Sequence, residues 1–308
     1  EDELQTQGKP KRADVVMSFV GDCTLGDING WNLFANTFDA QGAQYFLEGV
    51  RHIFAEDDLT VVNLEGPLTN SSSQIEKGDP PVFWIKGRPE FIDILSSSSV
   101  ELANIANNHI YDYGDQGVSD TKQALSTAGI EYYGYASVFV REINGVRIGI
   151  FGFAFDSNAY NIQQQIQALK DQGCEVVIAT FHEGHYDRTY DPTSNQRTAA
   201  HAAIDAGADL VIQHHVHNLQ GIEEYNGRPI AYSLGNFCYG GHSNPSDKDT
   251  MIFRFEINRS LDGLEFDYQV IPASISSSTD RNDYRPQILE GSEAQRVLDK
   301  IAEMSARL

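Results

Sequence analysis

Aspartate, glutamate, asparagine and histidine cluster in five short segments of this chain, most of them directly after an apolar, β-branched run. The segments are GDCTLGD with Asp22, NLEGPL with Glu65, NNHIYDYG with Asn108 and His109, FHEGH with His182, and QHHVHNLQ with His215 and His217. The preceding runs VVMSFV, LTVV, ELANIA, VVIATF and LVI have the composition of buried strands. Strand ends deliver side chains to one rim of a sheet, so residues distant in sequence can converge there. Asp22, Glu65, Asn108, His182, His215 and His217 would then form an oxygen and nitrogen shell for one or two divalent ions. Imidazole and carboxylate together suit manganese, zinc or iron(II) rather than calcium. Two such ions about 3.5–4 Å apart lower the pKa of a shared water and clamp the group under attack.

His109 follows Asn108 and would sit beside the ions without ligating them. Asp112, three residues on, could orient it, as a carboxylate fixes an imidazole tautomer. Arg188 and Arg197 are candidates for binding a substrate carboxylate or phosphate. Each residue also has a plainer reading. Asp22 could cap a turn, Glu65 could bond to loop amides, and Asn-Asn-His could form a hydrogen-bonded turn. Three histidines and two acids after strands are hard to explain as core filling. His214 alternates away from its neighbours and reads as structural, and His52 and His201 read as helix surface or packing. His185 is undecided, and His242 lies in a Gly-rich loop that could approach the site. Gly235 and Asn236 read as shaping a turn at a strand end.

The elements that must position these groups alternate along the 308 residues. ADVVMSFVGD, LTVVNLE, VFWIKG, ELANIANN, CEVVIATFH and ADLVIQHHVH read as strands. GAQYFLEGVRHIFAEDD, RPEFIDILSSSS, DQGVSDTKQALSTAG, AYNIQQQIQALKDQG and SNQRTAAHAAIDAG read as helices, the third ending at Gly129 and the last with Ser194 as N-cap. Asn144-Gly145 and Asn226-Gly227 mark β-hairpins. TMIFRFEIN and LEFDYQVIPASI add antiparallel strands, and SEAQRVLDKIAEMSARL closes as a helix. Alternation of strand and helix predicts parallel pairing and the hairpins predict antiparallel pairing, so mixed sheets flanked by helices are expected.

The formal net charge is −22, from 22 Lys plus Arg against 44 Asp plus Glu. That balance argues against non-specific nucleic-acid binding, which needs cations on phosphates. An anionic substrate would need local help from metal or arginine. Three cysteines make no disulfide framework, and Cys23 and Cys238 read as buried small hydrophobes that are neighbours at the rim. No apolar run approaches the ~20 residues of a membrane helix. The sequence opens with EDELQTQGKPKR and no Met, which is expected of a trimmed segment whose signal or anchor lies outside it.

Six motifs occur in order: GD-x-x-x-GD, NLE-x-P-L, NNH-x-x-DYG, H-x-G-H, AGADLVI-x-HH-x-H-x-x-Q and YSLGNF. Together they resemble the CapA-type poly-γ-glutamate capsule biosynthesis family, part of the calcineurin-like metallophosphoesterase superfamily. The resemblance runs from about Val15 to Ile271. It implies a four-layer α/β/β/α sandwich of two mixed sheets. The implied domains are a disordered leader over 1–13, a metallophosphoesterase-like domain over 14–273, and over 274–308 an exposed loop and a C-terminal helix packing on that domain. It also implies one ion held by Asp22, Glu65 and His217, and a second by Glu65, Asn108, His182 and His215. His109 would protonate the leaving group or stabilise the transition state. The superfamily has a histidine two residues after the first Asp, where this chain has Thr24, so the first site is short of one imidazole unless another residue such as His185 fills it.

Two functions follow as expectations. One is a metal-dependent hydrolase of phosphoester or γ-glutamyl amide bonds, acting on an anionic polymer or a phosphorylated small substrate. The other is a non-catalytic accessory that binds polymer within an extracellular or cell-surface complex of membrane-bound synthesis and export proteins. A nucleotidase-like phosphatase ranks lower, because it calls for an aromatic clamp that nothing in the sequence identifies.

Overall fold

A computed structural model describes residues 13–79, 82–155, 157–185 and 190–308. The expected leader therefore lies outside the described residues except Ala13, which is buried. The chain builds one sheet, crosses to a second and returns. In the first sheet the strands run Gln287–Ile288, Gly263–Ser274, Asp249–Ser260, Val15–Thr24, Leu59–Leu64, Leu102–Asn104 and Glu131–Tyr133, with Asn236–Tyr239 pairing beside the far half of Val15–Thr24. In the second they run Ile222–Tyr225, Arg228–Ala231, Leu210–His214, Val176–His182, Val146–Ala154 and Phe139–Ile143. The strands that lead to the candidate ligands pair in parallel within each sheet, so their carboxyl ends share a rim.

Both faces of each sheet are covered, which gives four layers, α/β/β/α. Met17, Phe19 and Val61 of the first sheet meet Ile150, Ile178 and Ile212 of the second in a shared core. Helices carrying Phe34, Phe46, Phe91 and Leu125 cover the outer face of the first sheet. On the outer face of the second, Ala159–Asp171 buries Ile162, Ile166 and Leu169, an apolar stripe at helical spacing. Its neighbour Ser194–Ala206 lays down Ala199, Ala200 and Ala203, small enough for close approach to the sheet. That helix is capped by Thr193, with Gln196 completing a capping box, so Ser194 is its first residue and not its cap. The C-terminal helix Gly291–Ser305 packs on the edge of both sheets, touching Gly263–Ser274 and Ile222–Tyr225. Arg296 holds Asp249 through two bonds of 2.9 and 2.7 Å.

Other elements differ from expectation. The helix expected over 42–58 is two short turns, Gln44–Leu47 and Arg51–Phe54, and an unexpected helix, Leu33–Gln41, precedes it. VFWIKG contributes only Ile85–Lys86, and RPEFIDILSSSS begins as a 3-10 turn at Pro89–Ile92. The loop after Ser274 is tucked in on one side, where the hydroxyl of Ser276 donates 2.8 Å to buried Asp283. Both Asn-Gly hairpins form, with φ 48° and 81° at Asn144 and Gly145, and 52° and 71° at Asn226 and Gly227.

The strand Val15–Thr24 changes partner at Gly21. Before it, Val20 pairs antiparallel with Ile252; after it, Asp22 pairs parallel with Asn236. The Asp22 amide donates 2.9 Å to the Gly235 carbonyl, and a Cβ on Gly21 would sit 2.1 Å from that same oxygen. Gly21→Ala should therefore lower stability by about 3 kcal/mol through overpacking, read as a fall in the urea midpoint with an unchanged slope.

Candidate metal centre

Six strand-end residues meet on the rim that the two sheets share. Asp22 lies two residues before the end of the central strand of the first sheet, Glu65 directly follows Leu59–Leu64, and Asn108 sits in the turn after Leu102–Asn104. From the second sheet come His182, the last residue of its strand, and His215 and His217, just past Leu210–His214. Glu65 is the link. Its Oε1 lies 3.6 Å from His182 Nε2 and 3.7 Å from His217 Nε2. Two clusters result, Glu65 with His182 and His215, and Asp22 with Glu65 and His217; in each, the ligand atoms lie within 4.8 Å of one another. Asn108 Oδ1 is 2.8 Å from His182 Nε2, and His215 Nδ1 is 3.1 Å from the same nitrogen.

The donor set fits a divalent cation. Glu65 is buried, and Thr24 donates 2.9 Å to its Oε2, but Oε1 has no hydrogen-bond partner. A buried carboxylate oxygen with only distant imidazole nitrogens around it is costly unless a cation takes its lone pairs. Thr24, where the sequence resemblance leads one to expect a histidine, holds Glu65 through its hydroxyl. His185 is exposed and belongs to neither cluster. His214, expected to be structural, is buried with Nδ1 3.4 Å from Asp22 Oδ1.

The charges are arranged by burial and by one another. Burial favours a neutral Asp22, yet hydrogen bonds from His214 and His217 hold its carboxyl well below the ordinary range. Burial pushes the Glu65 carboxyl up. Burial, with the charge of neighbouring imidazoles, holds His182 far down and His215 at about 4. His217 goes the other way: burial opposes its charge, but Glu65 and Asp22 outweigh it and raise its pKa to about 9.

Several supporting residues are not among the predicted ligands, although Asn63, Asn107 and Asn236 fall within the quoted motifs. Asn63, inside an apolar strand, donates 2.8 Å to Asp22 Oδ1 and lies 3.3 Å from His182 Nδ1. Asn104 on the next strand donates 3.0 Å to Asn63. Asn107 joins the loop to the Glu65 strand end, donating 2.8 Å to the Leu64 carbonyl. Asn236 Oδ1 lies 2.9 Å from His217 Nδ1. His215 and His217 both have positive φ, 96° and 60°, a conformation that non-glycine residues hold only where the surroundings enforce it.

Beside the clusters opens a cleft of about 880 Å³, lined by Asn108, His109, His215 and His217. His109 Nδ1 is 2.8 Å from Asp112 Oδ2, which leaves Nε2 as the free nitrogen. Asp112 is buried, takes the Ile85 amide at 2.7 Å, and forms an ion pair with Lys77. Lys77, in the Ser- and Gly-rich loop, had no sequence signal. Arg188 lies outside the described residues. Arg197 sits over the Tyr232 ring at 5.8 Å and is not among the residues lining the cleft, so a substrate role does not follow from its position. Cys23 accepts a hydrogen bond from the Cys238 amide, and both are buried in the outer core of the first sheet rather than among the ligands.

The family described as bacterial capsule synthesis protein PGA_cap matches residues 16–240, a span that contains all six converging residues. The chain belongs to this family. Among PGA_cap relatives, it is 28% identical over 284 residues to the PGA biosynthesis protein CapA of Bacillus subtilis, covering 85% of this chain and 72% of that one. It is 27% identical over 300 residues to the capsule biosynthesis protein CapA of Bacillus anthracis, covering 87% and 71%. A solved structure of the calcineurin-like phosphoesterase YfkN from Bacillus subtilis aligns with 94% of this chain and 96% of that chain, at a TM-score of 0.49 and 15% identity. The PGA_cap match ends before Asp249–Ser260, Gly263–Ser274 and the C-terminal helix, which complete the first sheet and the shared core.

The raised pKa of His217 gives metal binding a pH dependence. Below about 9 the imidazole holds a proton that a cation must displace, whereas His215 loses its proton near 4 and adds nothing at neutral pH. Manganese affinity of chelator-stripped protein should rise about tenfold per pH unit through the neutral range and level off above about 9. Calorimetric titration in buffers of different ionisation enthalpy should show release of about one proton per ion bound at the His217 cluster.

Proposed function

We propose that the protein is a metal-dependent hydrolase of capsule-polymer metabolism that acts on a phosphoester or γ-glutamyl amide bond. The observation that carries this reading is the buried Glu65 Oε1, unbonded and shared by two clusters, beside a free His109 Nε2 that opens on the cleft. Asp22, Glu65 and His217 would hold one divalent ion and Glu65, Asn108, His182 and His215 a second; manganese, zinc or iron suits the donors. Bound ions would supply an activated water and charge stabilisation. The chain's own part is positional and protonic. Asn63 and Asn236 fix Asp22 and His217, and Asp112 keeps the His109 proton on Nδ1. In its imidazolium form His109 carries a second proton on Nε2, and it would hand that proton to, or hydrogen-bond through it with, the leaving oxygen or nitrogen from its cleft side.

The names of the CapA relatives support a place in capsule synthesis. We further propose that the protein works outside the cell or at its surface, beside membrane-bound synthesis and export proteins. Among the described residues no helix is long and apolar enough to cross a membrane. The second reading, a polymer-binding accessory without turnover, is favoured by one observation, the threonine at position 24 that leaves the Asp22 cluster with three ligands.

Metal content and turnover separate the two. Purified protein supplemented with manganese should carry near-stoichiometric metal and cleave a generic aryl phosphodiester or monoester. His109→Ala should lower kcat about 10²–10⁴-fold while retaining the metal. Absence of metal under every loading condition would establish the accessory reading. Turnover lost in His217→Ala but kept in His182→Ala would contradict the shared centre.

A further inference from the structure

Among the described residues, the cleft beside the metal centre is lined by one Lys or Arg, Lys77, and that ammonium is paired with Asp112. Asp247 also lines it and is paired with Lys300 at 2.8 Å. Ile28, Ile75, Val82 and Ile85 make part of its wall apolar, beside the polar Asn29, Asn218 and His242.

Two large rings stand in that wall with their faces open. Trp31 is 56% exposed and Phe83 is 46% exposed, in a chain that buries most of its phenylalanines. They are held in place by the backbone beneath them. Asn29 and Trp84 exchange two hydrogen bonds of 3.0 Å, which clip the turn carrying Trp31 to the segment carrying Phe83. The Trp84 indole donates 2.9 Å to the Ile75 carbonyl, and Lys77 donates to the Phe83 carbonyl. Lys77 thus ties the aromatic wall to the Asp112–His109 pair. Exposed rings on a clipped backbone are what stacking on a flat partner requires.

Resting on the hydrolase reading above, we infer that the cleft takes a phosphoester whose second substituent is a flat aromatic group. The phosphoryl end faces the His109 side and the ring stacks against Trp31 and Phe83. This favours the phosphoester over the γ-glutamyl amide as the bond cleaved.

The test uses manganese-loaded protein and two probes that cannot be hydrolysed, phenylphosphonate and methylphosphonate, in calorimetric titrations. Phenylphosphonate should bind about tenfold more tightly. Trp31→Ala and Phe83→Ala should each erase most of that preference and leave methylphosphonate affinity unchanged, and Trp31→Phe should restore it. Equal affinity for the two probes overturns the aromatic subsite and leaves the hydrolase reading standing. Failure of both probes to bind removes the hydrolase reading and the subsite with it. A γ-glutamyl oligomer that binds more tightly than phenylphosphonate, with an affinity indifferent to Trp31→Ala, overturns the subsite in favour of the polymer.

Discussion

Two buried carboxylates at the seam of two sheets set the terms for the rest of the molecule. Asp22 and Glu65 are almost wholly removed from water, and each raises the cost of the other's charge. Burying such a pair is tolerable only if every lone pair is answered. The first sheet answers with Asn63 and Thr24, and the second with His214 and His217. One oxygen, Oε1 of Glu65, is left over, and the imidazoles of the second sheet converge on it at distances too long for hydrogen bonds. The proton on His217 offsets part of the negative charge, and a divalent cation in its place would offset more. The arrangement is thus a stability problem that a divalent cation at the unbonded oxygen would complete.

That dependence explains the backbone. The ligands leave strands whose carboxyl ends share a rim, so their spacing is inherited from sheet register and not from loop conformation. Where a ligand needs a direction that a strand cannot supply, the chain accepts unusual geometry. His215 and His217 take positive φ, and Gly21 and Gly235 bring two backbones to a distance that no side chain permits. Asp22 is flanked by parallel pairing with Asn63 on one side and Asn236 on the other, and Asp249–Ser260 pairs with the first half of the same strand. The C-terminal strands beyond the family match therefore belong to the same folding unit as the site.

The ligand rim was legible because its signal is double: a β-branched run, then a metal-type side chain. Fold class followed from alternation of strand and helix with two Asn-Gly hairpins, which pattern exposes directly. The roles of Asn63, which opens the NLE-x-P-L motif, and of Asn104 were not legible, since a polar residue within a short apolar run looks like a break in the pattern until its cross-strand partner is known. Lys77 was hidden for a related reason, because loop sequence records no tertiary partner. The single helix read over 42–58 split at Glu48–Val50, where Gly49 lies against Pro286 and Gln287 with no room for a side chain. The spacing of Phe46, Val50, Ile53 and Phe54 shows which face is buried but not whether the backbone between them is continuous. Arg197 looked available because charge is easy to see in sequence, whereas its seat over Tyr232 depends on packing between a helix and the second sheet.

Thr24 ties these threads together. A histidine there would add a ligand to the Asp22 cluster and remove the hydroxyl that holds Glu65 Oε2. With threonine, Glu65 is anchored through one oxygen and presents the other, which lies nearly midway between His182 and His217. The two clusters then differ in kind. One has two neutral imidazoles, an asparagine and the shared acid; the other has two acids and an imidazole that carries a proton near neutral pH. Nitrogen-rich and oxygen-rich donor sets prefer different ions, and only the second set must first lose a proton. Thr24 thus fixes one Glu65 oxygen and leaves the other between two clusters of unlike donors, one built on His182 and His215 and the other on Asp22 and His217.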